Sequence, residues 1–410
     1  DLNTTGTHNT AVGTEALDAN TTANSNTAIG RSVLSEATTG GLNTAVGAFC
    51  ADAVTTGSEN TAMGVSCFTD NTTGSNNTAI GRSAMLNNTT ASNNTAVGHQ
   101  AFMTNTTGAN NCAFGRSALD ANTTGGSNNA FGESALSNHT TGNDNNAFGV
   151  NALVTLTTGS NNCAFGRSAL GFNTTANNNS AFGHTALNQN TTGTKVTGIG
   201  YQAGYSNTTG NSNTSVGYQA LYANQTYSNN TAVGKSALNA TTNGGNTAVG
   251  SDAAEKLTSG SLNTAVGHLA LKLATTALAN TAVGYFALGN AVVTGSNNTA
   301  VGKEAGRDIT SGADNTCIGK SAGEPLTTGT NNTLMGDDAG RGNSPSGEIT
   351  TGDNNVVLGN NSVQNLFCAD TSISSSDSRD KTDVADFSIG LAWIEALRPV
   401  TYRWDRRTWY

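Results

Sequence analysis

The sequence predicts an all-β protein: a parallel β-solenoid of about twenty-one coils of seventeen residues each, followed by a short α+β segment. Three observations carry this reading. The motif Asn-Thr-Ala-Val-Gly, with close variants, places a glycine at 13, 30, 47, 64, 81, 98, 115, 132, 149, 166, 183, 200, 217 and 234, every step being seventeen residues. Helix pairs need repeats of ~33–47 residues, and a β-branched Thr-Thr doublet followed by Gly interrupts any helix. The composition offers no conventional core either: 410 residues contain 50 Gly, and only 35% are hydrophobic and 6% aromatic.

Taken in order, each copy reads N-T-A-[VIFM]-G-x-x-A-L-x-x-x-T-T-G-x-N. The Asn-Thr-Ala-Val-Gly stretch is the first strand and the stretch around Ala-Leu a second, with Gly and Asn/Thr-Gly turn chemistry between them. Stacked coils set equivalent residues ~4.8 Å apart, so like side chains form ladders. Asn9, Asn26, Asn43, Asn60, Asn77 and Asn94 begin one such ladder; the same Asn recurs four residues before each repeat glycine except at Val196. Alternation along the strand assigns Val12, Ile29, Val46, Met63, Ile80, Val97, Phe114 and Phe131 to the coil interior. Ala-Leu pairs such as Ala16–Leu17 and Ala118–Leu119 then form the opposing wall. The count slips by one at Gly250, slips back at Gly302, and crosses an insertion at 341–347 before the last copy ends at Gly359. Residues 1–359 are thus the repeat shaft, a rod of roughly 100 Å at this rise. A stack this slender buries little, and three wound together bury far more. The expected assembly is a homotrimer.

Charge and composition exclude several classes. With 11% charged residues and a net charge of −9, the chain lacks the strong charge that accompanies weak hydrophobicity in disordered proteins. Three prolines rule out collagen. The absence of basic clusters argues against nucleic acid. No apolar run approaches the ~18 residues of a transmembrane helix, and no signal peptide opens the chain. Asp1 begins in mid-pattern, so further sequence is expected before it.

The six cysteines show neither CxxC nor zinc spacing, and the histidines occur singly, so no metal or cofactor is expected. Cys50 and Cys67 share a column in consecutive coils, where a bridge is geometrically allowed but a pair of buried thiols replacing Ala is favoured. Cys112 and Cys163 lie three coils apart, roughly 14 Å, too far to pair within one stack.

One column carries a candidate binding surface. The position after the repeat glycine holds Arg31, Arg82, Arg116, Arg167, Lys235, Lys303 and Lys320, with Tyr201, Tyr218 and Tyr285, and His99, His184 and His268, in other copies. Seven of the twelve Lys and Arg before residue 360 fall in this column. Stacking would draw a broken basic and aromatic stripe along an acidic rod, suited to adsorbing anionic surface glycans. The competing reading is an exposed corner where long polar side chains simply fit.

Periodicity stops after Gly359. Residues 360–375 read as a final strand and linker, and 376–410 change texture. Phe387–Leu397 has helical spacing of Ile389, Trp393, Ile394 and Leu397, and Arg398–Trp404 reads as a strand. All three tryptophans fall in the last eighteen residues.

The Asn-Thr-Ala-Val-Gly repeats resemble the head repeats of trimeric autotransporter adhesins, loosely, and the shafts of phage tail fibres. The pattern Ser376-Asp377-x-Arg379-x-Lys381, followed by a helix and L-R-P-V-T-Y-R-W, resembles the self-cleaving intramolecular chaperone at the C-terminus of phage tail fibres and endosialidase tailspikes. That resemblance implies a domain that trimerises the fibre and is then released, with Ser376 as nucleophile and Lys381 as its activating partner. The alternative at this site is a solvated Ser/Asp loop.

The reading that follows is a structural protein, the distal shaft of a trimeric viral tail fibre. It would adsorb to the host and join the virion through a region before Asp1. A cell-surface adhesin with the same chaperone is the alternative. A polysaccharide-degrading tailspike would need convergent carboxylates, and here Asp and Glu are scattered over different columns.

Overall fold

The computed structural model describes residues 3–365. Twenty-one strands of three residues form a single parallel sheet. β1 (Thr10–Val12) lies beside β2 (Thr27–Ile29), with Thr10 opposite Thr27, Ala11 opposite Ala28 and Val12 opposite Ile29. Every later strand adds in the same register, ending with β20 (Thr333–Met335) and β21 (Val356–Leu358). The fold is the expected β-solenoid with one repeat per coil. No helix forms among the described residues, and so none is long and apolar enough to cross a membrane.

The second strand of each coil does not form. Around Ala-Leu the backbone turns through left-handed residues, such as Ser117 at φ 54° and Leu119 at φ 52°. A left-handed L-residue costs about 1–2 kcal/mol. Hydrogen bonding to both neighbouring coils offsets it: the Leu119 N–H donates forward to Ala135 O (3.0 Å), and the Ser117 N–H donates back to His99 O (3.1 Å). The corner is therefore stitched into the stack without being extended. The repeat glycine is required by its own geometry. Gly115 sits at φ 133°, and a Cβ there would meet Gly132 O at 2.5 Å and its carbonyl carbon at 2.6 Å.

The interior is filled by the middle residue of each strand, Ala in sixteen of the twenty-one, and by the corner Ala-Leu pair; Ala113, Ala118 and Leu119 are wholly buried. The opposing wall is thus placed as expected. The apolar core falls into two clusters, one running from Leu17 to Val196 and the other from Ala220 to Val357. Between them Gly198 and Ser215 replace the strand Ala, and Gly204 replaces the corner Leu. Small and polar side chains leave no continuous apolar contact there, and Ser215 Oγ instead donates to Thr197 O (3.0 Å).

Polar ladders supply what the apolar core lacks. Asn43 Oδ1 accepts from the Asn60 N–H (3.0 Å) and from Asn60 Nδ2 (3.1 Å), while Asn60 Nδ2 also donates to Gly74 O (3.0 Å). The ladder continues through Asn77 and Asn94 and reaches Asn355, whose N–H donates to Asn332 Oδ1 (2.9 Å). At Val196 the ladder is half kept. Its N–H still donates to Asn179 Oδ1 (2.9 Å), but its side chain offers no acceptor to the next coil. The 341–347 insertion loops out between β20 and β21, whose register is unbroken, Thr333 lying opposite Val356.

Candidate functional site

The outer face of the sheet departs most from expectation. Val12 is 56% exposed, Met63 44%, Phe114 39% and Leu358 45%, so the apolar column assigned to the interior faces outward. In a three-residue strand only the middle side chain points into the coil, and in sixteen of the twenty-one strands that residue is Ala. The corner Leu of the preceding coil competes for the space behind it: Leu187 Cγ lies 2.7 Å from where a Cβ on Gly198 would be, whereas beside the corner glycines Gly323 and Gly340 the inward residue is the wholly buried Leu334. The Thr and the Val, Ile, Met or Phe on either side of that Ala are left on the outside. Phe114, Phe131, Phe148, Phe165 and Phe182 consequently stack along the stem, with ring centroids 5.2, 4.7, 4.4 and 5.0 Å apart and planes within 6°. None of the twenty-one strands contains Asp, Glu, Lys or Arg.

The column after the repeat glycine is exposed at Arg31, Arg82, Arg116, Arg167, Lys235, Lys303 and Lys320, and at Tyr201, Tyr218 and Tyr285. Much of its positive charge is answered locally. Arg116 pairs with Glu133 and Lys320 with Asp337 (3.5 Å), each acid standing in the same column one coil on. Lys235 approaches Asp252 (3.6 Å) and Lys303 approaches Glu304 (3.6 Å). Exposed pairs of this kind contribute little stability, but they reduce the net field of the stripe. Arg31 lies over the Phe49 ring at 4.4 Å. Among the described residues, Arg82 and Arg167 have no ion pair. The aromatic members stack on one another, His184 on Tyr201 at 5.6 Å and Tyr201 on Tyr218 at 5.4 Å. Their mutual faces are occupied, which leaves edges and hydroxyls to solvent.

Sequence reading missed a second polar column, the Asn that opens Asn-Thr-Thr-Gly in many copies. Asn88 Nδ2 donates to Asn71 Oδ1 (2.9 Å) and Asn105 Nδ2 to Asn88 Oδ1 (2.7 Å), both pairs fully buried. The signal was the recurrence of that Asn at a position treated as variable. His139 takes this place in one coil. It is buried, with Nε2 2.8 Å from Gly142 O, and its Nδ1 and the neighbouring Asn122 Oδ1 find no partner. Burial holds its pKa below the usual histidine value.

Cys50 and Cys67 are free and buried, with their Sγ atoms 2.9 Å apart. Their contact, together with burial, pushes the Cys67 thiol well above its ordinary range. Burial alone pushes Cys317 up to about 12. At the base of the insertion, a cavity of about 250 Å³ is lined by Arg307, Glu324 and Arg341 among others. Glu324 is nearly buried; Arg341 Nε reaches its Oε2 (2.9 Å), and Arg341 Nη1 reaches Asp338 (3.0 Å). These contacts tie the first residue of the 341–347 loop to the stack. Among the described residues no three His, Cys, Asp or Glu are placed to hold a metal.

Ser376 and Lys381 lie outside the described residues. The described part is a fibrous β-solenoid of stacked seventeen-residue coils. Residues 376–408, which follow it, match the family model described as the chaperone of endosialidase, Peptidase_S74. A solenoid of this kind running into such a segment fits a tail-fibre-type protein. No curated protein and no solved structure matches the chain.

Proposed function

We propose that the chain is the shaft of a trimeric viral tail fibre, exposed on the virion tail, and that its C-terminal segment is a template that aligns three copies and is then cut away. The match of residues 376–408 to the endosialidase chaperone, directly after a long in-register stack, carries this reading. A period of seventeen residues lets chains slip by whole coils at little local cost, so three repetitive chains need an external guide to their register. Once they are aligned, removing the guide makes assembly kinetically irreversible. Ser376 Oγ would attack a backbone carbonyl beside it and break that C–N bond. Lys381, held neutral by burial in the assembled trimer, would take the hydroxyl proton and give it to the leaving amine, and water would then hydrolyse the ester. This is one turnover on the chain itself, so the fibre is a structural protein.

The test is to express the full chain and weigh the products. A cut wild type beside an uncut Ser376→Ala variant supports the reading, and identical masses end it.

Host adsorption is the second part of the proposal. The unpaired Arg82 and Arg167 are its best candidates, since Arg116, Lys235, Lys303 and Lys320 already face carboxylates. Attraction of exposed charges to anionic surface glycans should fade as the Debye length falls to ~3 Å at 1 M salt. An Arg82→Ala/Arg167→Ala fibre should adsorb several-fold less at low salt; unchanged adsorption would make the column a structural corner.

A further inference from the structure

We propose that the outer sheet face, formed by the Thr and apolar columns of β1 to β21, is the surface on which copies of this chain pack against one another, parallel and in register. This rests on the trimeric reading above and adds to it the surface and the alignment. The occupant is a second copy for three reasons.

The first reason is chemistry. The face is uncharged along its whole length: apolar, thiol- or hydroxyl-bearing apart from the amides of Asn129 and Asn146, which bond to each other (2.8 Å), it carries no Asp, Glu, Lys or Arg in any strand, although the chain has a net charge of −9. Depletion of charge at a buried centre is the compositional mark of an interface, and here it also removes like-charge repulsion between identical chains. The second reason is extent. With on the order of 50 Å² of exposed apolar surface per coil, the apolar column offers each chain on the order of 1,000 Å², shared between its two neighbours in a trimer and widened by the Thr column beside it, against the ~800 Å² that a partner gives to one standard interface. Only an object of the same length and rise covers such a stripe from end to end, and another copy matches it coil for coil.

Alignment is the third reason. The column is not uniform: five phenylalanines occupy consecutive coils, from β7 (Cys112–Phe114) to β11 (Ser180–Phe182), between runs of the aliphatic side chains Val, Ile, Met and, in β21, Leu. Parallel copies in register set the five rings at the same height as the rings of their neighbours. A slip of one coil sets a ring against an aliphatic side chain at each end of the block. An antiparallel arrangement about the middle strand, β11, superposes only one of the five. The Phe block is thus a register mark within an otherwise repetitive shaft.

The chain supplies its own probes. Cys112 and Cys163, the latter in β10 (Cys163–Phe165), stand in the Thr column of this face and are half-buried in the single chain, whereas Cys50, Cys67 and Cys317 are buried inside the coil. The experiment uses the full chain with Cys368→Ser and a bifunctional thiol reagent of roughly 10 Å, the spacing of packed sheets. The expected products are cross-linked dimers and trimers whose digests contain Cys112–Cys112 and Cys163–Cys163 links but no Cys112–Cys163 links, since those residues are offset by three coils, roughly 14 Å. In parallel, Phe148→Asp/Phe165→Asp should sediment as a monomer, because both side chains point away from the coil and their replacement leaves each chain's own core intact.

A wild type that sediments as a monomer overturns the trimeric reading and this proposal with it. A trimeric wild type that yields no self-links, or a double Phe variant that remains a trimer, leaves the trimer standing and overturns the face. Thiols shielded from reagent in a trimer that gives no self-links would mean that something other than a copy covers the face, which also overturns it. Cys112–Cys163 links would overturn the register.

Discussion

Replacing Asn145 by Ala measures what the Asn ladder contributes. Asn145 Oδ1 accepts from the Asn162 N–H (3.1 Å) and from Asn162 Nδ2 (3.1 Å), and Asn145 Nδ2 donates to Gly159 O (2.9 Å) and Asn128 Oδ1 (3.1 Å). Truncation strands the buried Asn162 N–H, at about 1–3 kcal/mol, and removes further bonds with net contributions of about 0.5–1.5 kcal/mol each. The expected loss is about 3–5 kcal/mol, or between two and four decades in a local opening equilibrium. Stacked repeats open locally, so amide hydrogen exchange in the coils around residues 145–162 reads the loss better than a global melting temperature does. Asn138→Ala is the control. Asn138 is exposed and makes no side-chain hydrogen bond among the described residues, and its loss should stay within about 0.5 kcal/mol. If the Asn162 amide in Asn145→Ala exchanges as slowly as in the control, the ladder is an ornament of the repeat and the stability argument fails.

His139 predicts a pH effect. Because burial lowers its folded pKa, its contribution is fully present above the unfolded value near 6.5 and is lost as pH falls through that value, by up to about 1.4 kcal/mol per pH unit. His139→Asn should restore an amide facing the unpartnered Asn122 Oδ1 and remove that part of the pH dependence; equal slopes for the two proteins between pH 7.5 and 5 would refute this. Gly115→Ala forces a side chain into a φ of 133° and against the carbonyl of Gly132, and should cost more than about 3 kcal/mol. Gly126→Ala, where the nearest atom to the new Cβ is Ala109 O at 3.1 Å and φ is not positive, should cost no more than about 1 kcal/mol. Chemical denaturation that ranks the two equally would remove the close-approach argument.

The ladder was legible in the residues, whereas the need for glycine at the close approach between coils was not. An Asn held four positions before a glycine through twenty of twenty-one copies leaves little besides a stacked coil, because only a parallel in-register stack brings such residues together at one spacing. The corner was less legible. Ala-Leu between two turn signals suggests a strand, yet Leu119 at φ 52° gains its hydrogen bonds from the neighbouring coils rather than from an extended partner. Local propensity carries no information about that. Ser376 and Lys381 come from a motif and its resemblance alone and lie outside the described residues.

The sequence by itself determined the period, one repeat per coil, the strand position and the Asn9-to-Asn355 ladder, all of which follow from recurrence along a line. Only the tertiary structure decided which side of each strand is inside. Hydrophobicity favours Val, Ile and Phe over Ala for the interior, and a period of two cannot choose between the faces of a three-residue strand. The choice is made by volume: where a corner Leu occupies the coil the inward residue is small, and the larger Leu334 is accommodated inside beside the corner glycines Gly323 and Gly340. The apolar side chain that ends each strand is left on the surface, in a column that the fold of one chain does not cover.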